Sequence, residues 1–322
     1  MSGSARLARR LTSSPVLLGA SVCTFGAVGY NTSKRYHDAS LLKPHDPVTK
    51  FPIASVSDAP PVRPTFPGSG FTTLVLEDAT MINHNVKHLR FKLPEGDTNS
   101  GIQTITSLLT QHKPDGAWIP VLRPYTPIDA DEPGHISFLV KRYPNGKGSG
   151  HMHALKPGDE LKVKPIHEFD YKPNQFTHVT ILAGGAGITP FIQLIRNVLQ
   201  NPADRTRINL VYSNHTETDI LLKNEFDKLA RERPDRFNVI FTVSEPSQSA
   251  GEGIRNGRVT SPMIQQALPA KAEWDTTKVL VCGPAPYIEA VAGKKGGFGW
   301  TQGSLGGMLK DLGLEKNQVQ KF

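Results

Sequence analysis

From about Phe71 to His167 apolar and polar residues alternate with a period of two, the pattern of strands with one buried face. Residues 135–143 put Ile136, Phe138 and Val140 on one face. Residues 88–93 do the same with Leu89, Phe91 and Leu93, and residues 160–164 set Leu161 and Val163 opposite Lys162 and Lys164. Turn formers separate the runs at Pro94-Glu95-Gly96, Pro144-Asn145-Gly146 and Pro157-Gly158-Asp159. Short alternating strands divided in this way predict an antiparallel barrel or sandwich.

The period changes near Thr177. Residues 177–183 form a continuous apolar strand, 184–187 a glycine turn (GGAG), and 188–200 a helix with Thr189 as N-cap and Pro190 at its first position. A strand at 207–214, a helix at 220–233 and strands at 238–244 and 278–284 follow. Alternation of strands and helices predicts a doubly wound parallel sheet. The chain of 322 residues is therefore read as two folded domains after an N-terminal extension.

Charge locates that extension. The formal net charge is +8, but the first 37 residues carry Arg6, Arg9, Arg10, Lys34 and Arg35 and no acid, so five of those charges are N-terminal. The rest of the chain is nearly balanced, which removes the bulk-charge argument for nucleic acid. Between Arg10 and Lys34 lie 23 uncharged residues, about 34 Å as a helix and enough to cross a bilayer core of about 30 Å. A basic, acid-free, Ser-containing leader ahead of a body with one cysteine is read as mitochondrial targeting with a weak membrane anchor over 1–35; a secretory signal is the competing reading. Seven prolines between 36 and 67 predict an extended stalk over 36–65.

Two elements point to chemistry. The turn Gly184-Gly185-Ala186-Gly187-Ile188-Thr189-Pro190 joins a parallel strand to a helix N-terminus, where small residues let backbone amides approach a phosphate. Taken alone it reads equally as a packing turn. Arg123-Pro124-Tyr125-Thr126-Pro127 is a stiff extended element whose Arg suits a diphosphate, Tyr a flat ring and Thr a ring nitrogen; an edge strand with an exposed Arg is the plainer reading. Two cysteines, Cys23 and Cys282, give no disulfide framework and no zinc motif. His151 and His153 lack a third ligand, so no metal is assigned.

The motifs RPYTP, VKRYPNGKGS, LKPGDELKV, GGAGITP and CGPAP occur in the order and spacing of the ferredoxin reductase superfamily of flavoproteins. The chain from Phe66 to Phe322 resembles that superfamily, and within it the NADH–cytochrome b5 reductase family in its fungal mitochondrial form. The resemblance implies an FAD-binding β-barrel over 66–170 and an NADH-binding α/β domain over 171–322. It implies that Arg123, Pro124, Tyr125 and Thr126 bind flavin, with Thr126 near the hydride-accepting nitrogen. Val140, Lys141 and Tyr143 match the next flavin strand, and Gly146, Lys147, Gly148 and Ser149 a loop whose amides and hydroxyl hold phosphate. Gly184, Gly185, Gly187 and Thr189 match the NADH-side loop, and Cys282, Gly283 and Pro284 the nicotinamide-side motif. Asp219 matches an acid associated with preference for NADH, and Thr126, Lys141 and Cys282 are the implied catalytic residues. Ala285, Tyr287, Gly148 and the segment 163–166 depart from the family pattern.

The resemblance also implies an activity: hydride transfer from NADH to FAD and single-electron delivery to cytochrome b5 or a similar acidic haem protein, with no general base. A basic rim of Lys141, Arg142, Lys147, Lys162 and Lys164 is expected to steer that partner. The expected location is the mitochondrial outer membrane, single-pass, with a processed intermembrane-space form. Two rivals stay open: an NADPH- or ferredoxin-type reductase of the same superfamily, and a non-catalytic basic membrane-associated scaffold.

Overall fold

A computed structural model of the chain describes residues 65–66, 70–94, 99–102, 105–129, 132–246, 251 and 253–322. The anchor expected over 1–35, all but Thr65 of the stalk expected over 36–65, and the predicted turn residues Glu95 and Gly96 lie outside the described residues. Among the described residues no helix is long and apolar enough to cross a membrane.

The first half contains strands β1 (Thr72–Met81), β2 (Val86–Lys92), β3 (Thr106–His112), β4 (Val121–Tyr125) and β5 (His135–Lys141), helix α1 (Lys147–Ala154) and strand β6 (Glu160–His167). They form one antiparallel sheet in the order β4-β3-β6-β1-β2-β5. Its inner face buries Leu74, Leu76, Leu89, Phe91, Leu108, Ile136, Phe138, Val140, Leu161 and Val163 in one cluster, which includes the alternating sets read from the sequence. The sheet is a half-barrel rather than a closed barrel. Among the described residues its edges meet only at the isolated bridge Asp129–Ser137, with Ile128 N–H bonded to Ser137 O at 2.9 Å. Pro124 and Pro127 explain this, since neither has an N–H to extend a ladder.

β5 departs from simple alternation, with all five residues from Ile136 to Val140 buried. Ile136, Phe138 and Val140 face the half-barrel core, while Leu139 joins Val86, Ile105 and Ile128 in the core of the second half. The outer face of this strand is thus covered by the neighbouring domain.

The second half contains β7 (His178–Gly184), α2 (Thr189–Gln200), β8 (Arg207–Asn214), α3 (Lys223–Glu232), β9 (Phe237–Val243), β10 (Ile254–Asn256), α4 (Ser261–Ala267), β11 (Thr277–Cys282), α5 (Ala285–Ala292), α6 (Gly307–Asp311) and β12 (Val319–Lys321). All strand pairs are parallel, in the order β10-β9-β8-β7-β11-β12. Every residue of β7 is buried, as a central parallel strand covered on both faces requires. Ile181, Leu210 and Tyr212 pack with Phe191, Leu194 and Phe226 of α2 and α3 on one face. Leu182 and Val211 pack with Ile264, Ile288 and Leu309 of α4, α5 and α6 on the other. This is the doubly wound arrangement.

The GGAG turn is more ordered than a loop. Gly185–Ile188 make a 3-10 turn that runs into α2, Ile188 occupies the N-cap, and Thr189 is already the first helical residue. Thr189 therefore does not cap with its side chain; its hydroxyl donates to Ala186 O at 3.0 Å, and Pro190 sits one position further in.

The glycine-rich segment after α5 is tied down by the penultimate residue. Lys321, 4% exposed, donates from Nζ to Ala292 O, Gly293 O, Lys294 O and Ser304 O at 2.9–3.3 Å. Four carbonyls replace the carboxylate that a buried ammonium otherwise needs.

Candidate active site

Arg123, Pro124 and Tyr125 lie on β4 at the open edge of the half-barrel, so their side chains project from a backbone fixed by Pro124. Against them packs α1. A Cβ added to Gly148 would lie 2.6 Å from Arg123 Cγ and 3.3 Å from the Tyr125 hydroxyl oxygen. The glycine at this position is what lets the helix approach the Arg–Tyr pair. Burial pushes the Tyr125 phenol up to about 12, against the opposing charge of Arg123.

Gly146, Lys147, Gly148 and Ser149 do not form the loop expected from the sequence. Gly146 is the N-cap of α1 and the others form its first turn. The Ser149 hydroxyl is engaged internally, accepting from Tyr143 N–H at 3.1 Å and donating to Gly146 O at 3.3 Å. The first turn contains no acid and no side-chain cap, so its N–H groups and Lys147 are left for an anion. Asn85, Arg142, Tyr143, Pro144, Asn145, Gly146, Lys147 and Gly150 line an open recess here, two of them cationic. These features suit the diphosphate of a dinucleotide.

On the parallel sheet, the turns after β7 and β11 abut, because Ala183 and Cys282 are register partners. A Cβ on Gly187 would lie 2.5 Å from the Cys282 carbonyl carbon and oxygen and 2.6 Å from Gly283 N. Gly184 and Gly283 both face the Tyr287 ring, with hypothetical Cβ contacts of 3.0 and 2.8 Å. Three glycines thus bring the N-terminal end of α2 against the β11 rim, where the strand-end turns and a helix N-terminus suit a second dinucleotide. Burial pushes the Cys282 thiol up to about 12, with Glu168 acting in the same direction, so it stays protonated and packs as a small apolar group.

Lys141 and Asp219 are brought together across the two halves. Lys141 Nζ lies 2.9 Å from Asp219 Oδ1, with side chains 13% and 4% exposed. Asp219 Oδ2 accepts from the Thr216 hydroxyl at 2.8 Å and the Thr216 N–H at 3.2 Å. Burial acts to raise this carboxyl, and the hydrogen bonds from Lys141 and Thr216 outweigh it, so its pKa is lowered. The expectation for Lys141 needs correction: it is not part of an exposed basic rim but pairs with Asp219, which lies in the turn after β8. Arg142, Lys147 and Lys162 remain exposed.

The residues that fix the seam were not singled out by the sequence. Gln193 Nε2 on α2 donates to Pro127 O at 3.0 Å. Arg196 Nη1 donates to Ile128 O at 2.8 Å and Asp129 Oδ1 at 2.7 Å, while its Nε and Nη2 grip Glu225 at 2.7 and 2.8 Å. The helix that begins at the glycine turn therefore holds the backbone beside Thr126. The one available signal was two polar residues, i and i+3, inside an apolar helix. Buried beside this seam, the Thr126 and Ser107 hydroxyl oxygens lie 2.8 Å apart.

His151 and His153 diverge: the first stacks on His112 with ring centroids 3.9 Å apart, and the second bonds Val140 O through Nε2 at 2.8 Å. No cluster of three potential metal ligands occurs among the described residues.

Comparison with known proteins agrees with this geometry. Residues 73–171 match the oxidoreductase FAD-binding domain and residues 181–293 the oxidoreductase NAD-binding domain. The chain is 43% identical over 256 residues to NADH-cytochrome b5 reductase 2 of Pyricularia oryzae, an alignment covering 79% of this chain and 76% of that one. To the protein of the same name from Botryotinia fuckeliana it is 44% identical over 255 residues, covering 79% and 72%. The cytochrome b5 reductase domain of Ulva prolifera nitrate reductase superposes with a TM-score of 0.68 at 29% identity, covering 81% of this chain and 100% of that one. With two dinucleotide cradles joined at one seam and relatives at this level of identity, the chain belongs to the NADH–cytochrome b5 reductase family.

Proposed function

We propose that this chain takes a hydride from NADH onto bound FAD and passes the electrons one at a time to cytochrome b5, the acceptor for which its relatives are named. The observation that carries the reading is the seam. α2 starts at the nucleotide-side turn and, within two helical turns, hydrogen-bonds the backbone that follows Thr126. When bound, FAD supplies the conversion of a two-electron donor into single-electron delivery. Arg123 and the first turn of α1 would hold its diphosphate, and Tyr125 would cover its ring. Gly184, Gly187 and Gly283 admit the nicotinamide nucleotide, and Gln193 and Arg196 keep the two sites in register.

The purified protein is expected to show a flavin spectrum that bleaches on NADH addition and recovers with cytochrome b5. A colourless protein, or a flavin that NADH leaves oxidised, overturns the reading. Arg123→Ala removes one charge-assisted contact of about 1.5–3 kcal/mol, so FAD retention should weaken roughly ten- to a hundredfold. Flavin content after gel filtration measures it, and a fully yellow variant contradicts the assignment.

Arg142, Lys147 and Lys162 are proposed to steer the acidic haem partner. Lys162→Glu should slow its reduction severalfold at low ionic strength and converge with the unmodified protein at high salt. A rate insensitive to both changes removes this role. The acid-free N-terminal 37 residues are proposed to direct the chain to the mitochondrial outer membrane, single-pass, with a processed intermembrane-space form. A fluorescent reporter carrying these residues that stays away from mitochondria would refute this.

A further inference from the structure

The buried Lys321 ammonium stands at the rim that the nucleotide side of the site uses. β12 runs parallel to β11 with Lys321 level with Val281, one residue before Cys282. The last residue, Phe322, donates its N–H to Val281 O at 2.9 Å and sets its ring edge-on to Phe191 in the first turn of α2, centroids 5.3 Å apart. The end of the chain therefore bridges the two structures that meet at the glycine turns, the end of β11 and the start of α2.

What Lys321 holds at this rim is the segment 293–304. The segment folds back on itself: Gly296 and Thr301 exchange backbone hydrogen bonds at 3.0 and 3.1 Å, and a Cβ on Gly293 would lie 2.7 Å from Gly306 N. The Lys321 ammonium takes Ala292 O, Gly293 O and Lys294 O from one arm and Ser304 O from the other. Its backbone grips the second arm as well. The Lys321 N–H donates to Gln302 Oε1 at 2.7 Å, and the Lys321 carbonyl accepts from Gln302 Nε2 at 2.8 Å. The segment carries Lys294 and Lys295 and no acid. The Lys295 charge is felt at the Cys282 thiol, where it opposes the effect of burial.

Packing alone does not call for an ammonium here. An apolar side chain of similar volume would fill the same space without desolvating a charge. It could not draw four carbonyls to one point. Carbonyl oxygens gathered around a monovalent cation replace its water shell, and in this chain the cation is tethered to the strand end beside Cys282.

We propose that Lys321 is a positioning residue for the NADH side of the reaction: its ammonium pins residues 293–304 against the β11 rim, where they form a wall of the nicotinamide nucleotide site. The inference rests on the proposed function and adds to that site a segment outside its glycine turns. Lys321 acts through the segment it holds rather than on the nucleotide itself.

The test uses the FAD-loaded full chain and reads NADH affinity apart from turnover. In Lys321→Met the KM for NADH and the Kd for NAD+ should rise about tenfold, the equivalent of one lost contact, while flavin content and kcat stay within about twofold. Lys321→Ala should lose affinity equally and leave the four carbonyls without their cation. Ammonium or methylammonium chloride should then restore affinity, whereas tetramethylammonium chloride at the same ionic strength, larger and without an N–H, should not. A lysine needed only for stability would shift the denaturation midpoint without this selective recovery. In the unmodified protein, hydrogen exchange of residues 293–304 should slow when NAD+ binds. Unchanged constants for NADH and NAD+ in both variants, no rescue by ammonium, equal rescue by tetramethylammonium, or exchange in the segment that NAD+ leaves unaltered overturns the proposal. An unmodified protein whose flavin NADH does not bleach would instead fail the proposed function itself.

Discussion

Gly187→Ala is expected to cost about 3 kcal/mol of folding stability, the upper part of the overpacking range, and to raise the KM for NADH more than tenfold. The new methyl would sit 2.5 Å from the Cys282 carbonyl group and 2.6 Å from Gly283 N. Those are backbone atoms of a strand end, so no rotamer change can make room. The 3-10 turn and the start of α2 must move off the β11 rim, and the amides of the cradle move with them. Gly185→Ala is the control, because its Cβ meets nothing within 4 Å although its φ is +53°. That substitution should cost only the left-handed strain, about 1–2 kcal/mol, and leave the KM for NADH within about threefold. Denaturant unfolding and steady-state kinetics on the pair separate close approach from backbone conformation. Equal effects from the two substitutions would contradict the packing account.

The contrast between these two glycines shows what the sequence could and could not convey. A glycine turn between an apolar strand and a helix is a local pattern, so its position was legible. Which glycine is required by φ and which by a strand nearly a hundred residues away was not. The same division holds across the fold. Alternating sets such as Leu89, Phe91 and Leu93 identified the strands because one face of each is buried on the half-barrel core. β1 gave a weaker signal, since only Leu74 and Leu76 of its ten residues are buried. β10 and β12, three residues each, are made by pairing alongside longer strands rather than by any pattern of their own.

At the site, Arg123, Tyr125 and Thr126 were singled out through the resemblance of RPYTP to a flavin-binding motif, whereas the prolines by themselves read equally as an edge strand. Ser107 was not, since its approach to Thr126 depends on the register of β3 against β4. Gln193 and Arg196 look like the polar edge of an amphipathic helix until the half-barrel is docked on them. A charged residue in a strand read as half-exposed is counted as solvated, and that assumption placed Lys141 on a surface rim. The neighbouring domain, which also buries Leu139, covers it instead.

For that reason Asp219→Ala is expected to destabilise the protein by about 3–5 kcal/mol, the range for leaving one partner of a buried ion pair uncompensated. Lys141 would be left at a site 13% exposed without its partner carboxylate, and the Thr216 hydroxyl and N–H would lose their acceptor. The double variant Lys141→Met, Asp219→Leu should recover most of the loss, because burying both charges is what the pair's attraction has to offset. Denaturant midpoints for the two single variants and the double close a cycle, and purely additive losses would show that the residues do not act as a pair. The pH dependence has a definite sign. The folded carboxyl is held below its ordinary value of 3.8, so its contribution is complete at neutral pH and is lost only as pH falls through and below that value. The unmodified protein should therefore lose stability relative to the double variant only in strong acid. The same variants separate stability from coenzyme choice. In the double variant, with the fold restored and the acid gone, an unchanged ratio of kcat/KM for NADH and NADPH would make Asp219 a strap between domains. A narrowed ratio would show that the carboxylate is felt by the nucleotide even while it is paired with Lys141.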